Sequence, residues 1–186
     1  MRNLLGILTI ALLAACAAPV ETKRYLLTPS AAPVSAAAAP VIGLREIALP
    51  LYARRQEIAS SAEDGAILAS GDHLWADDLP RAATRLIARR LSAGGGEAYA
   101  EPWPAGAAPE LIAAVDVDRF VGALGGDTIF AGVITITRPD GRGRPVRRPF
   151  DIRTSANGPG YHALTEAYSA ALSALADEIG AMASGV

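Results

Sequence analysis

The chain has one cysteine and two histidines in 186 residues. One thiol excludes a disulfide scaffold and a four-cysteine zinc site, because both need thiols in numbers. His73 and His162 stand in no ligand spacing with each other or with the cysteine, so no metal centre is written locally. There is no G-x-S-x-G elbow, S-x-x-K, H-E-x-x-H or phosphate-binding P-loop; Gly94-Gly95-Gly96 lacks a following Lys-Ser/Thr and reads as a turn. Aromatics are scarce, with Phe at 3, Tyr at 5 and Trp at 2, and alanine supplies 40 of the residues that bring the hydrophobic fraction to 51%. The core is therefore adequate in volume and not rich. With 17 Lys+Arg against 19 Asp+Glu, neither a disordered polyelectrolyte nor a global nucleic-acid binder is indicated. The length accommodates one ordinary domain.

The longest apolar run sits at the start. Arg2 supplies a positive n-region, and Leu4 to Leu13 forms a stretch well short of the ~20 residues that span a bilayer. Small residues then precede the only cysteine: Leu13-Ala14-Ala15-Cys16 resembles the lipobox of bacterial lipoproteins. That resemblance implies a diacylglyceryl group on the Cys16 thiol, cleavage between Ala15 and Cys16 with Leu13, Ala14 and Ala15 as the peptidase recognition residues, and acylation of the new amino group. An ordinary secreted protein with an unused thiol is the alternative. Because one acyl chain anchors only marginally, two or three hold the protein at a membrane permanently. Ala17 follows the anchor where, in Gram-negative lipoproteins, aspartate would favour inner-membrane retention, so for a Gram-negative host the resemblance implies transfer to the periplasmic face of the outer membrane.

Residues 1–15 therefore read as a signal peptide, 16–40 as a lipidated N-terminus and Ala/Pro/Ser-rich tether, and 41–186 as a single domain. Tyr25-Leu26-Leu27 offers a short strand inside the tether. Val41 to Leu49 is apolar and β-branched, and Pro50 ends it. Gln56–Ser60 and Ala66–Ser70 flank Glu63-Asp64-Gly65 as a hairpin, with Asp72-His73 as a turn ahead of a helix. Asp77 or Asp78 caps that helix and Pro80 suits its first turn, giving residues 78–92. Leu111 to Val121 alternates as a strand, with Val115 and Val117 inward and Asp116 and Asp118 outward. Ile129 to Thr137 fits a central strand, Pro139-Asp140-Gly141 turns it, and Arg144 to Arg153 returns. The last helix spans about 160–183, since Tyr161, Leu164, Tyr168, Leu172, Leu175, Ile179 and Met182 recur every 3 or 4 residues. The fold class is α+β: a mainly antiparallel sheet with two principal helices packed on it.

Two surfaces stand out. Arg81, Arg85 and Arg89 stack along one side of the first helix, and residues 138–153 hold six arginines and two aspartates, including Arg142, Arg144, Arg147 and Arg148. An acidic partner could dock on either, and phospholipid headgroups are a rival target. The simpler reading is a solvated face. Trp75, just before the helix cap, seals the helix on the sheet or anchors a partner. Asp116 and Asp118 share a strand face, where a carboxylate pair could act as acid and base, although alternating aspartates are usually the wet side of a sheet.

Taken in order, the lipobox, Tyr25-Leu26-Leu27-Thr28, the strand Val41 to Pro50 with Leu51-Tyr52-Ala53-Arg54 and Ile58, Leu74-Trp75-Ala76-Asp77-Asp78-Leu79, and Val115-Asp116-Val117-Asp118-Arg119-Phe120 before an alanine-rich last helix resemble a known family. The chain is similar to the ABC-type transport auxiliary lipoproteins of the PqiC/YmbA type. One departure is Ala76-Asp77-Asp78 after Trp75, where Ala-Glu-Pro is usual. The resemblance implies a non-enzymatic lipoprotein subunit of an envelope lipid-transport system that serves membrane integrity. It further implies an MCE-domain transport protein as partner, a homo-oligomeric ring, no cofactor and no nucleic acid. A lipoprotein assembly factor for an outer-membrane β-barrel, and a periplasmic hydrolase using Asp116, Asp118 or His73, are the alternatives.

Overall fold

Among the described residues, strand and helix periodicities resolve into eight strands and two helices: β1 (Lys23–Tyr25), β2 (Ile42–Leu44), β3 (Glu57–Ser61), β4 (Ile67–Trp75), α1 (Leu79–Ala93), β5 (Ala98–Ala100), β6 (Leu111–Gly122), β7 (Asp127–Thr137), β8 (Val146–Ser155) and α2 (Tyr161–Ala183). The computed structural model describes residues 21–29 and 40–186. The expected signal peptide, Cys16 and most of the tether lie outside the described residues. No described helix is long and apolar enough to cross a membrane.

The strands form two sheets, ordered β1-β4-β3 and β5-β2-β6-β7-β8. The fold is α+β, as expected, but the sheets are mixed. β1 runs parallel to β4, and β2 runs parallel to both β5 and β6, while β3–β4, β6–β7 and β7–β8 are antiparallel. Adjacent strands of these three antiparallel pairs are joined by local connections. The parallel neighbours are instead brought together by long connections, which an antiparallel reading of local turns does not anticipate.

Two local expectations need correction. The run 41–49 is one strand only over Ile42–Leu44, with an isolated bridge from Ala48 to Asp116 further on. Between them the Ile47 N–H leaves the ladder to donate to the Thr84 hydroxyl on α1, 3.0 Å away, so the strand kinks over the helix. Asp72-His73 is not a turn; β4 carries both residues and continues to Trp75. Its extension is favoured by parallel pairing with β1, which adds Lys23–His73 and Tyr25–Trp75 to the register. Thus Lys23–Tyr25, inside the expected tether, belongs to a sheet, two residues earlier than the expected strand at 25–27.

The helices pack side by side in the same sense. Arg90 on α1 donates to both Asp177 carboxylate oxygens on α2 at 2.9 and 3.0 Å, and Leu91 lies beside Gly180. Tyr168 joins the layers. Its ring stacks on Phe120 at 4.4 Å between centroids, tilts against Trp75, and its hydroxyl donates to the Ala59 carbonyl on β3 at 3.1 Å. Phe130 and Phe150 extend the aromatic line edge-to-face. A handful of large side chains at the centre thus compensates for the alanine-rich composition. On β6 a bulge falls between Val117 and Arg119, and the Phe120 N–H just beyond it donates to the Tyr52 hydroxyl at 2.9 Å.

Candidate functional site: two basic surfaces and a hollow beside the first helix

α1 starts where the sequence predicts. The Asp78 side chain accepts from the Arg81 N–H at 3.1 Å, and Pro80 sits in the first turn, where its missing N–H costs nothing. Leu79, Ala83, Leu86 and Ile87 are buried, which turns Arg81, Arg85 and Arg89 outward. The three are not equivalent. Arg81 lies 3.8 Å from Glu46, and Arg85 pairs with Asp77. Arg89, one turn on, has no carboxylate partner among the described residues. The Asp78 backbone N–H and then the Arg85 guanidinium hold the Asp77 carboxyl below its ordinary range. Arg90, the fourth arginine of this helix, points inward to Asp177, and helical spacing alone does not separate it from its neighbours.

Trp75 is 3% exposed at the end of β4, with its ring tilted against Tyr168 of α2.

The second basic surface is the β7–β8 turn and the start of β8. The Asp140 carboxylate accepts from the Arg142 backbone N–H at 2.9 Å and lies 3.7 Å from its guanidinium. Arg144, Arg147 and Arg148 are exposed and have no carboxylate partner among the described residues. Opposite Thr135 and Ile134 respectively, Arg147 and Arg148 point to opposite faces of β8. β8 is the edge of its sheet, and arginines together with Pro149 also blunt that edge against pairing with another chain.

The two basic surfaces are separate. α1 packs beside β5 at one edge of the five-stranded sheet, and the arginine hairpin lies at the other edge. Arg138 donates to the Val186 carbonyl at 2.9 Å, so the hairpin base meets the end of the chain just past α2. At the opposite end of α2, Tyr161 stacks on His73 at 4.1 Å, and the His73 Nδ1 lies 2.8 Å from the Tyr25 hydroxyl of β1.

The acid–base candidates do not converge. Asp116 and Asp118 are exposed on β6, whereas His73 is engaged with Tyr25 and Tyr161 on the other sheet. His162 is exposed on the first turn of α2, 3.5 Å from Glu166.

Between β1 with its following residues and α1 lies a hollow of about 260 Å³, walled by Leu26, Leu27, Trp75 and Leu86 and rimmed by Asp77, Arg85 and Arg89. A shallow trough bordered by Ala88, Ser92 and Ala98 lies across the same two arginines. Sequence reading missed this feature because its walls come from segments about 60 residues apart, and no local pattern encodes their meeting.

Comparison with known structures supports the architecture. The structure is similar to a solved structure described only as an uncharacterized protein, with a TM-score of 0.70 and 17% identity, covering 87% of this chain and 98% of that one. It is also similar to protein XCC0632 from Xanthomonas campestris, with a TM-score of 0.66 and 16% identity, covering 87% of this chain and 95% of that one. At these identities the likeness is one of fold. No curated protein matches the sequence. Residues 25–180 match the family model described as ABC-type transport auxiliary lipoprotein component, from the last residue of β1 almost to the end of α2, and the chain belongs to that family.

Proposed function

We propose that the protein is the lipid-anchored, non-enzymatic auxiliary subunit of an MCE-type envelope lipid-transport system. In this reading it works from the periplasmic face of the outer membrane, helps maintain membrane integrity and assembles as a homo-oligomer.

The observation that carries the reading is the polarity of the domain. β1 is paired into its sheet from Lys23 onward, so only seven residue steps separate it from Cys16. Fully extended, they span about 25 Å. β1 meets the Tyr161 end of α2 through His73, and the arginine hairpin lies at the far end of α2. With 23 residues, that helix is about 34 Å long. An anchor at one end and a basic tip at the other suit a domain that is held on a bilayer and presents guanidinium groups away from it. This favours an acidic surface of an MCE-domain protein over headgroups of the anchoring membrane as the target of Arg142, Arg144, Arg147 and Arg148. Arginine provides bidentate, charge-assisted contacts to carboxylates, and exposed cations at a tip also speed encounter with an acidic partner.

The test is recovery of partners from detergent-solubilised envelopes. Wild-type protein is expected to bring down an MCE-domain protein. Reversing Arg144, Arg147 and Arg148 to Glu is expected to lose that partner while the protein still sediments with membranes. Cys16→Ser is expected to shift the protein to the soluble fraction and to weaken the envelope barrier. Recovery of an outer-membrane β-barrel in place of an MCE protein would support the assembly-factor alternative, and membrane sedimentation of Cys16→Ser with an intact barrier would sink the anchor.

A further inference from the structure

We infer that the hollow between β1 and α1 binds a single-chain amphiphile with an anionic head, such as a fatty acid or a lysophospholipid. The inference stands independently of which transport partner docks on the hairpin.

The chemistry of the lining carries it. The walls are apolar: Leu26 and Leu27 on one side, Leu86 on the other and Trp75 between them. Leu26 is 66% exposed at the lip, an apolar side chain beside an apolar depression. The mouth, by contrast, holds two guanidinium groups and one carboxylate. Because Asp77 is paired with Arg85, the positive charge left over is that of Arg89. About half of the exposed lining is polar, and it includes Asp77, Arg85 and Arg89; a hollow with apolar side chains in its walls and one net cation at its mouth is complementary to an apolar chain that ends in a single negative charge.

Size narrows the class. At about 260 Å³ the hollow is just below the range of roughly 300–1,000 Å³ typical of small-molecule sites. It holds a segment of one acyl chain and not the paired chains of a diacyl phospholipid. The trough beyond Arg85 and Arg89 leaves room for a head group to lie across both guanidinium groups, outside the hollow. β1, which forms one wall, is joined to β4 by only three residue pairs. The wall itself extends to Pro29, and the Thr28 N–H is tied to the Ser169 hydroxyl of α2 at 3.1 Å, so this side of the site is held to α2.

The test uses the full-length acylated protein in phosphatidylcholine nanodiscs and a diazirine-bearing palmitate probe, with adducts mapped by mass spectrometry. Adducts are expected on peptides containing Leu26–Leu27 or Leu86. Unlabelled palmitate and 1-palmitoyl lysophosphatidylglycerol are expected to compete, and palmityl alcohol about tenfold less well, the effect of one lost charge-assisted contact. Stronger competition by palmitate assigns free fatty acids, and stronger competition by the lysolipid assigns phospholipid-derived ligands. Arg89→Glu, at an exposed position and with its fold checked by circular dichroism, is expected to cut labelling at least tenfold, and Ala82→Trp to cut it by filling the hollow. Equal competition by the neutral alcohol, unchanged labelling in Arg89→Glu, or adducts scattered over the surface would each overturn the inference.

Discussion

Gly132 lies on β7 opposite Val117, at the bulge of β6, where the two backbones approach more closely than a side chain permits. A Cβ added there would sit 2.1 Å from the Asp116 carbonyl oxygen and 2.9 Å from the Val117 Cα. Both obstacles are backbone, so no rotamer change relieves the overlap, and the β6–β7 ladder must move. Overpacking of a well-packed site costs typically about 1–3 kcal/mol, and the rigid neighbours place Gly132→Ala at the upper end. For a chain of this size each kcal/mol lowers Tm by roughly 2–4 °C, so a fall of about 6–12 °C is expected. Gly180→Ala provides the matched control. Its Cβ would meet only the flexible Leu91 Cδ2, at 3.3 Å, while gaining helix propensity. That gain is roughly 0.5–1 kcal/mol in a helix interior, and the crowding of Leu91 offsets part of it. Differential scanning calorimetry of both variants checks the reasoning. A Gly132→Ala protein that melts within a degree of wild type would refute the close approach, and with it the register across the bulge.

Tyr168→Phe removes the hydroxyl that donates to the Ala59 carbonyl while keeping the ring stack, so urea denaturation is expected to show a loss of about 1–3 kcal/mol with an unchanged m-value. Burial pushes the Tyr168 phenol pKa well above its ordinary value, so a spectrophotometric titration is expected to show this tyrosine ionising only as the protein unfolds in alkali. Asp78→Ala is expected to cost about 1 kcal/mol through the lost cap on α1, read from the shift in urea midpoint. Asp77 has a folded pKa below its unfolded one; its contribution is therefore present above the unfolded value and is lost as pH falls through the folded value. NMR titration of its carboxyl carbon checks the direction, and Asp77→Asn is expected to flatten the corresponding acid limb of the stability curve.

Much of the fold was legible because its signals are short-range. The spacing from Tyr161 to Met182, the Asp78 cap with Pro80, the valine–aspartate alternation of β6 and the Pro139-Asp140-Gly141 turn each encode one element in a few adjacent residues. The extent of β4 was not legible, since its final residues are paired by β1 from a segment that reads as linker. The kink at Ile47 depends on a hydroxyl supplied by Thr84, 37 positions later. The candidate surfaces divide in the same way. The arginines of α1 and of the hairpin were visible as charge patterns, but not that Asp77 and Glu46 engage two of them and Asp177 engages a fourth.

The sequence by itself determined the helices, the hairpins and the clustering of arginine, because helix propensity, turn chemistry and side-chain alternation act between near neighbours. Only the tertiary structure decided that the sheets are mixed, that the basic tip lies at the far end of α2 from β1, and that Leu26, Trp75 and Arg89 surround one hollow. Each of these depends on contacts between distant segments, whose closure is decided by burial of the whole core around Tyr168 and not by any local pattern.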